Sequence, residues 1–167
     1  FPKNLSENFE LIKYDSSKPW NFKYIYQPKG SNLRNWDERF SLTAETYLDS
    51  PSKYARSWLK SIREFVKGRG EVQAYIESES SKEVQVIVET HLPREGEKIA
   101  FLRFLKTPNS IVLLKYENRN NFISPKLLTE WKDTVRKIKV SEELLFDLDL
   151  EAVALIEEYY KGTKQSL

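Results

Sequence analysis

The sequence contains no cysteine and no methionine, and its single histidine is His91. Without thiolates, the chain can form neither disulfides nor cysteine-ligated zinc and iron–sulfur sites, and it has no cysteine nucleophile. Glycine occurs only five times. None of the glycines belongs to a phosphate-binding loop, because "KGRG" at 67–70 lacks the length and the Lys-Ser/Thr ending of that motif. No cofactor is therefore predicted.

Long hydrophobic runs are also missing. No stretch approaches the roughly 20 apolar residues of a membrane-crossing helix, so the sequence predicts no transmembrane segment in this chain. The first residues, "FPKNLSENFE", lack an initiating methionine, and removal of a secretory signal would produce such a start. We therefore expect a periplasmic or secreted protein, with the cytoplasm as the alternative location.

What the chain does have is an uneven distribution of charge. Its 167 residues carry a net charge of +2, but residues 141–167 contain seven acidic residues and two lysines, a net charge of −5, which leaves +7 for the remainder. Such a tail can meet a partner, dock on the basic body of its own chain, or simply face water. The acidic residues that we interpret as a contact surface are Asp147, Asp149, Glu157 and Glu158.

Seven stretches with alternating or continuous apolar residues predict β-strands. Pro28 and Gly30 end the second strand, and a Thr-Pro-Asn turn at 107–109 joins the last two. Connections as short as this turn imply antiparallel neighbours. The predicted strands cover residues 8–16, 20–30, 39–48, 71–80, 82–92, 98–106 and 110–118.

Two amphipathic helices are predicted between and after the strands. The first, over 51–67, has Ser50 as its cap, Pro51 at its first position and Gly68 as its terminator. The second covers 125–138, and both have apolar residues at three- and four-residue steps. The predicted organisation is an α+β domain over 1–140 with a sheet of six to seven antiparallel strands, followed by an acidic helical extension over 141–167.

One short stretch carries a family resemblance. "YQPKG" at 26–30, followed by Trp36 and Glu38 before "RFSLTAE" at 39–45, resembles a pattern in small secreted bacterial proteins with the PsbP/Mog1-type fold. The two helices fall where that resemblance would put them. The resemblance implies an α+β protein that binds a partner or supports assembly, and it is an analogy of fold.

An enzyme is not predicted. His91 has Glu89, Glu95 and Glu97 close in sequence, but there is no second histidine and no signature of a metal site or catalytic triad. A strand-end histidine at the surface is the simpler interpretation. A hydrolase that uses His91 is kept as the second alternative, and it would require a deep pocket around that residue.

A row of cations on the first helix gives the main functional hypothesis. Its members recur at steps of three and four residues, so they share one face opposite the apolar one. A row of this kind can bind an acidic protein, an anionic ligand or a membrane surface, while nucleic acid is disfavoured by the low net charge. These residues are Lys53, Arg56, Lys60, Arg63 and Lys67.

Three tryptophans are predicted to anchor the structure. Trp58 and Trp131 lie on the apolar faces of the two helices, and Trp36 is interpreted as a core plug before the third strand. Trp20, Tyr24 and Tyr26 are interpreted as core residues of a strand rather than as the lining of a ligand groove. Together these features favour a non-catalytic protein-binding or assembly component of the bacterial cell envelope, with an anion binder as the first alternative.

Overall fold

The computed structural model describes residues 8–18, 21–119, 125–140 and 146–147. Within these ranges the chain forms an α+β fold, which confirms the predicted fold class. All seven predicted strands and both predicted helices are present, and their bounds differ from the expected ones by a few residues at most. The elements are β1 Phe9–Lys18, β2 Asn21–Pro28, β3 Glu38–Thr46, α1 Pro51–Val66, β4 Glu71–Glu79, β5 Glu83–Leu92, β6 Gly96–Lys106, β7 Ser110–Asn118, α2 Pro125–Lys137, β8 Lys139–Val140 and β9 Phe146–Asp147.

Seven strands form one antiparallel sheet in the order β1-β2-β3-β7-β6-β5-β4. The sheet therefore consists of two meanders, β1 to β3 and β4 to β7, which meet where β3 pairs with β7. Every other neighbour in the sheet is also a neighbour in sequence. Along β3 and β7 the register runs from Glu38 opposite Asn118 to Thr46 opposite Ser110.

Helix α1 forms because its ends and its face are both specified locally. The Ser50 side chain accepts a hydrogen bond from the backbone N–H of Lys53, and Pro51 begins the helix. Gly68 follows with φ of 75°, a conformation that favours glycine. Gly70 then passes β5 so closely that a Cβ there would collide with the carbonyl oxygen of His91. The helix packs its apolar face on β4, β5 and β6.

The two helices cover opposite faces of the sheet. On the face of α1, Ala55 and Leu59 pack with Val84, Val86 and Val88 of β5, three alternate residues that share one face of the strand. On the other face, α2 buries Leu127, Trp131 and Val135 against the centre of the sheet. The largest buried side chains of this second core are Trp131, Tyr26, Tyr116, Phe9, Phe40 and Phe101.

A largely buried arginine, Arg103, holds the end of α2 against the sheet. The Arg103 guanidinium on β6 donates to the carbonyl oxygen of Val135 at 3.0 Å and to that of Ile138 at 2.5 Å, and it pairs with the Glu83 carboxylate. These carbonyls belong to the helix end, where no further turn supplies donors. On the outer side of the same helix, Lys132 bonds to Glu77 at the edge of the sheet.

Only half of the face that bears α1 is covered by that helix. The helix packs on β4, β5 and β6, and Ile111 and Leu113 of β7 belong to the same core. The same face of β2 and β3, and of β7 from Lys115 onward, is covered by neither of the two described helices. The register brings together Lys23 and Ile25 of β2, Ser41 of β3 and Lys115 of β7 on this uncovered part. We call this surface the open half-sheet.

The predicted helical extension differs from the structure at the two positions that can be compared. Phe146–Asp147 forms the short strand β9 and pairs with Lys139–Val140, so these two residues are extended and not helical. Backbone pairing with the chain that follows α2 overrides the helical pattern there. The remainder of the predicted extension lies outside the described residues.

Candidate functional site

The cationic row on α1 is divided into two parts with different surroundings. Lys53 bonds to Asp49 at 2.8 Å, and Arg56 holds both carboxylate oxygens of Glu79 at 2.5 and 3.1 Å. Glu64 is the only acid within 51–67, but the fold adds a second, because the sheet brings Glu79 from β4 alongside the helix. These first two cations are therefore already paired.

The pairing of Arg56 with Glu79 lowers the pKa of the glutamate carboxyl group. The hydrogen bonds of Arg56, followed by one from Ser52, lower the pKa of Glu79 from 4.5 to about 2. Because the folded pKa lies below the ordinary value, the stabilisation from this carboxylate is present above pH 4.5 and is lost as the pH falls toward 2. The pair is exposed, so its contribution to stability is small.

We expect the Glu79 carboxyl group to titrate near pH 2 in the folded protein. In an Arg56→Gln variant its midpoint should rise toward the ordinary glutamate value, because the bidentate partner is gone. Carbon-detected NMR of the side-chain carboxyl group would follow both titrations. A midpoint near 4.5 in the unmodified chain would contradict the pairing.

The other three cations, Lys60, Arg63 and Lys67, form what we call the cationic end of α1. They line an open hollow of about 380 Å³ together with Val66 and Val72. Glu64 lies at its rim, but none of the ion pairs within the described part of the chain involves any of the three cations. The hollow thus combines uncompensated positive charge with apolar side chains.

An aromatic side chain is exposed on the flank of α1 away from this hollow. Phe65 recurs at helical spacing with Trp58 of the apolar face, but 52% of it is accessible. The guanidinium of Arg69 lies 5.0 Å from the centre of its ring. Exposed aromatic and arginine side chains are typical of surfaces that bind other proteins.

His91 lies at the surface, as the simpler interpretation predicted. Its Nδ1 is 3.9 Å from Glu97, and both side chains are more than half exposed. The cleft beside it, about 350 Å³, also contains Glu71 and Glu89. Across the described residues, no three Asp, Glu or His side chains converge as metal ligands would. The exposure of His91 counts against the hydrolase alternative.

Trp36 is not a core residue, so the prediction that it fills the core before the third strand was wrong. It is partly exposed and belongs to neither of the two core clusters. Its ring is held between the guanidiniums of Arg39, at 4.0 Å, and Arg119, at 3.6 Å. Two cations on opposite faces of one indole fix the loop before β3 by cation–π attraction rather than by burial.

The other predicted aromatic anchors behave in different ways. Trp131 is fully buried, and Trp58 is partly buried with its ring 6.0 Å from that of Phe104. Tyr26 is inaccessible to solvent and Tyr24 is partly buried, which agrees with a core strand rather than a ligand groove. Trp20 lies outside the described residues.

Sequence reasoning missed a buried carboxylate on the face of the open half-sheet. Glu117 of β7 is 5% exposed and bonds to Lys98 at 3.2 Å and to Lys115 at 3.1 Å. Burial alone would raise the pKa of Glu117, but the two lysines hold it below its usual value. An acid at an alternate position of a strand gives no such signal by itself, because its neighbours come from other strands.

The predicted acidic surface cannot be compared in the same way. Asp149, Glu157 and Glu158 lie outside the described residues, and of Asp147 only the backbone is described, in β9. Neither α1 nor α2 is long and apolar enough to cross a membrane.

No model of a protein family matches the chain, and neither does any curated protein. Among solved structures, the solution structure of cyanobacterial PsbP (CyanoP) from Synechocystis sp. PCC 6803 aligns with a TM-score of 0.49 at 10% identity, over 78% of this chain and 79% of that chain. This match concerns the fold alone.

Proposed function

We propose that this chain is a non-catalytic protein-binding component of a bacterial envelope assembly and that it binds an acidic partner surface through the cationic end of α1. The observation that carries the proposal is the contrast along one helix: Lys53 and Arg56 have acidic partners, whereas Lys60, Arg63 and Lys67 have none within the described part of the chain. The proposed location in the cell envelope rests on the resemblance of residues 26–45. The same experiment tests it, because the partner is sought separately in envelope and cytosolic extracts.

The shape and chemistry of this end suit a folded protein. Three cations over two helical turns span roughly 10 Å, which matches a small acidic patch. Val66 and Val72 in the lining of the hollow add apolar contacts, which phosphate backbones do not need. Nucleic acid would be expected to require a more extended positive surface than a chain of net charge +2 provides.

We expect that changing Lys60, Arg63 and Lys67 together to glutamate weakens partner binding at least about tenfold, because like charges then face each other across the interface. The measurement is retention of specific proteins by the full chain from separate envelope and cytosolic extracts, followed by titration with the purified partner. Binding should also weaken with added salt, since exposed charges are screened over about 10 Å at 0.1 M.

The matched control changes two lysines and one arginine elsewhere on the surface to glutamate. These residues are Lys29, Lys82 and Arg94, all exposed. This variant has the same net charge as the first. If both variants lose the partner equally, overall charge is responsible and the cationic end is not the site.

The rival classes are tested with the same proteins. Vesicles that contain anionic lipid and a single-stranded oligonucleotide would each be titrated with the full chain and with both variants. Binding of either probe that disappears only in the first variant would replace the protein-binding proposal with an anion-binding one.

A further inference from the structure

The open half-sheet and α1 together form the two sides of a trough. Tyr54 of α1 bonds through its hydroxyl to Glu45 of β3, and Trp58 packs on Phe104, so this flank of the helix points toward the middle of the sheet. Phe65 lies two turns after Trp58 on the same flank. Beyond this aromatic flank, β7, β3 and β2 form the floor.

The floor contains buried apolar residues for which the described cores do not account. Ile25 is 4% exposed, yet it belongs to neither core cluster. Its cross-strand neighbours on this face are Lys13 and Ser41. Ser41 is buried as well. A buried isoleucine between a lysine and a serine indicates a face against which a further segment packs.

The charge on this face favours an acidic segment. The pKa of Lys23 is lowered by partial burial and then by the nearby cations Lys115, Lys13 and Arg39, which outweigh the opposite effect of Glu117. Glu117 is already bonded to Lys98 and Lys115. A carboxylate that approached Lys23 would relieve this repulsion between cations.

We propose that residues 148–158 of this same chain dock in the trough and cover the open half-sheet. In this segment Leu148, Ala152, Leu155 and Ile156 recur at helical spacing, so one face can pack on Ile25 and the aromatic flank of α1. Its acidic residues flank that apolar face and can reach Lys23 and Lys115. They are Asp149, Glu151, Glu157 and Glu158.

Val140 packs against the core beneath α2, so β8 and β9 lie on the face of α2, and the chain has to pass around the end of the sheet to enter the trough. Lys139 and Val140, which pair with β9, line a hollow together with Lys106 and Thr107 at the turn between β6 and β7. At the same end, Thr46 of β3 pairs with Ser110. Lys23 lies opposite Thr43, three residues or roughly 10 Å along β3 from that end. Three strand spacings, roughly 14 Å, separate β6 from β2. Eleven residues span about 16 Å as a helix and more where they are extended, so the last residues of the segment, Glu157 and Glu158, can reach Lys23 around that end.

This inference gives the acidic residues an intramolecular role, whereas the proposed function uses the cationic end of α1 toward a partner. The two are independent. The segment would stabilise its own domain and would not serve as a contact surface for another protein.

Carbodiimide cross-linking of the full chain tests the proposal, because it joins a lysine to a carboxylate only when the two are in direct contact. Equal amounts of unlabelled and ¹⁵N-labelled chain are mixed before the reaction, so that mass spectrometry separates links within a chain from links between chains. The described ion pairs Lys132–Glu77 and Lys98–Glu117 serve as internal positive controls.

We expect links within one chain from Lys23 or Lys115 to the acids between 149 and 158. A Leu155→Asp variant should lower the yield of these links at least about fivefold and leave the control links unchanged. Links from the acids mainly to Lys60 or Lys67, links mainly between chains, or no links while the controls form would each overturn the proposal. If the control links also fall in Leu155→Asp, Lys23→Gln takes its place, and it must abolish the Lys23 links while the Lys115 links persist.

Discussion

Replacement of Trp131 by alanine is expected to lower the free energy of unfolding by about 4 kcal/mol, in the middle of the range for large core aromatics. Trp131 is 2% exposed and lies at the centre of the core beneath α2. Its ring stacks on Tyr116 at 4.5 Å and on Phe40 at 6.1 Å, and it meets the edge of Phe9 at 5.2 Å. Removal of the indole leaves three aromatic rings around a cavity.

The measurement is urea unfolding followed by circular dichroism, with a thermal scan in which the midpoint should fall by roughly 8–16 °C for a chain of this size. Trp131→Phe should cost about half as much as alanine. It keeps part of the ring contacts, and it removes an indole N–H that is buried with no hydrogen-bond partner among the described residues.

Trp36→Ala is the matched control, because it removes the same side chain from a partly exposed site. It should cost only about 1 kcal/mol, the value of the lost contacts with Arg39 and Arg119. Equal losses at both tryptophans would contradict the assignment of Trp131 to the core and of Trp36 to a surface stack.

Arg103→Ala is the second substitution with a large expected effect, a loss of about 3 kcal/mol. Arg103 is only 13% exposed in its side chain and holds three groups at once: the carboxylate of Glu83 and the carbonyl oxygens of Val135 and Ile138. Its removal leaves a half-buried carboxylate without its cation and takes a donor from two carbonyls at the end of α2, of which that of Val135 keeps only the 3.4 Å bond from the Ile138 N–H.

Arg103→Lys should recover only a small part of this loss, because an ammonium group cannot reproduce the planar fork that reaches both partners. Arg136→Ala removes a more exposed arginine from α2 itself and should cost less than about 1 kcal/mol. Denaturant unfolding compares the three variants. Hydrogen exchange of the α2 amides should rise in Arg103→Ala well before global unfolding, and unchanged exchange there would show that the arginine does not hold the helix.

The sequence predicted the elements of this fold well because their signals are local. Ser50, Pro51 and Gly68 define α1 within one chain segment, and the alternation at Val84, Val86 and Val88 defines a strand face without reference to any neighbour. The pairing of β3 with β7 was not predicted from these signals, since it depends on side chains far apart in sequence.

The functional surface was predicted less completely for the same reason. Helical spacing identified the cationic row, but only the assembled sheet brings Glu79 to Arg56 and leaves Lys60 unpaired in the described structure. Trp36 was misread as a core residue because one of its two arginine partners, Arg119, follows β7 and is far away in sequence. Partners at long sequence distance leave no periodic pattern.

The pairing of β3 with β7 also determines how the chain has to fold. The two strands of each hairpin are joined by short turns. The pairing of β3 with β7, in contrast, closes a loop that contains every residue between Thr46 and Ser110. The entropic cost of closing a loop grows with its length. The two meanders are therefore natural cooperative units, each with local contacts of its own, and the seam is the non-local step that slows folding. Native-state hydrogen exchange would detect them as two groups of amides that open at different denaturant concentrations.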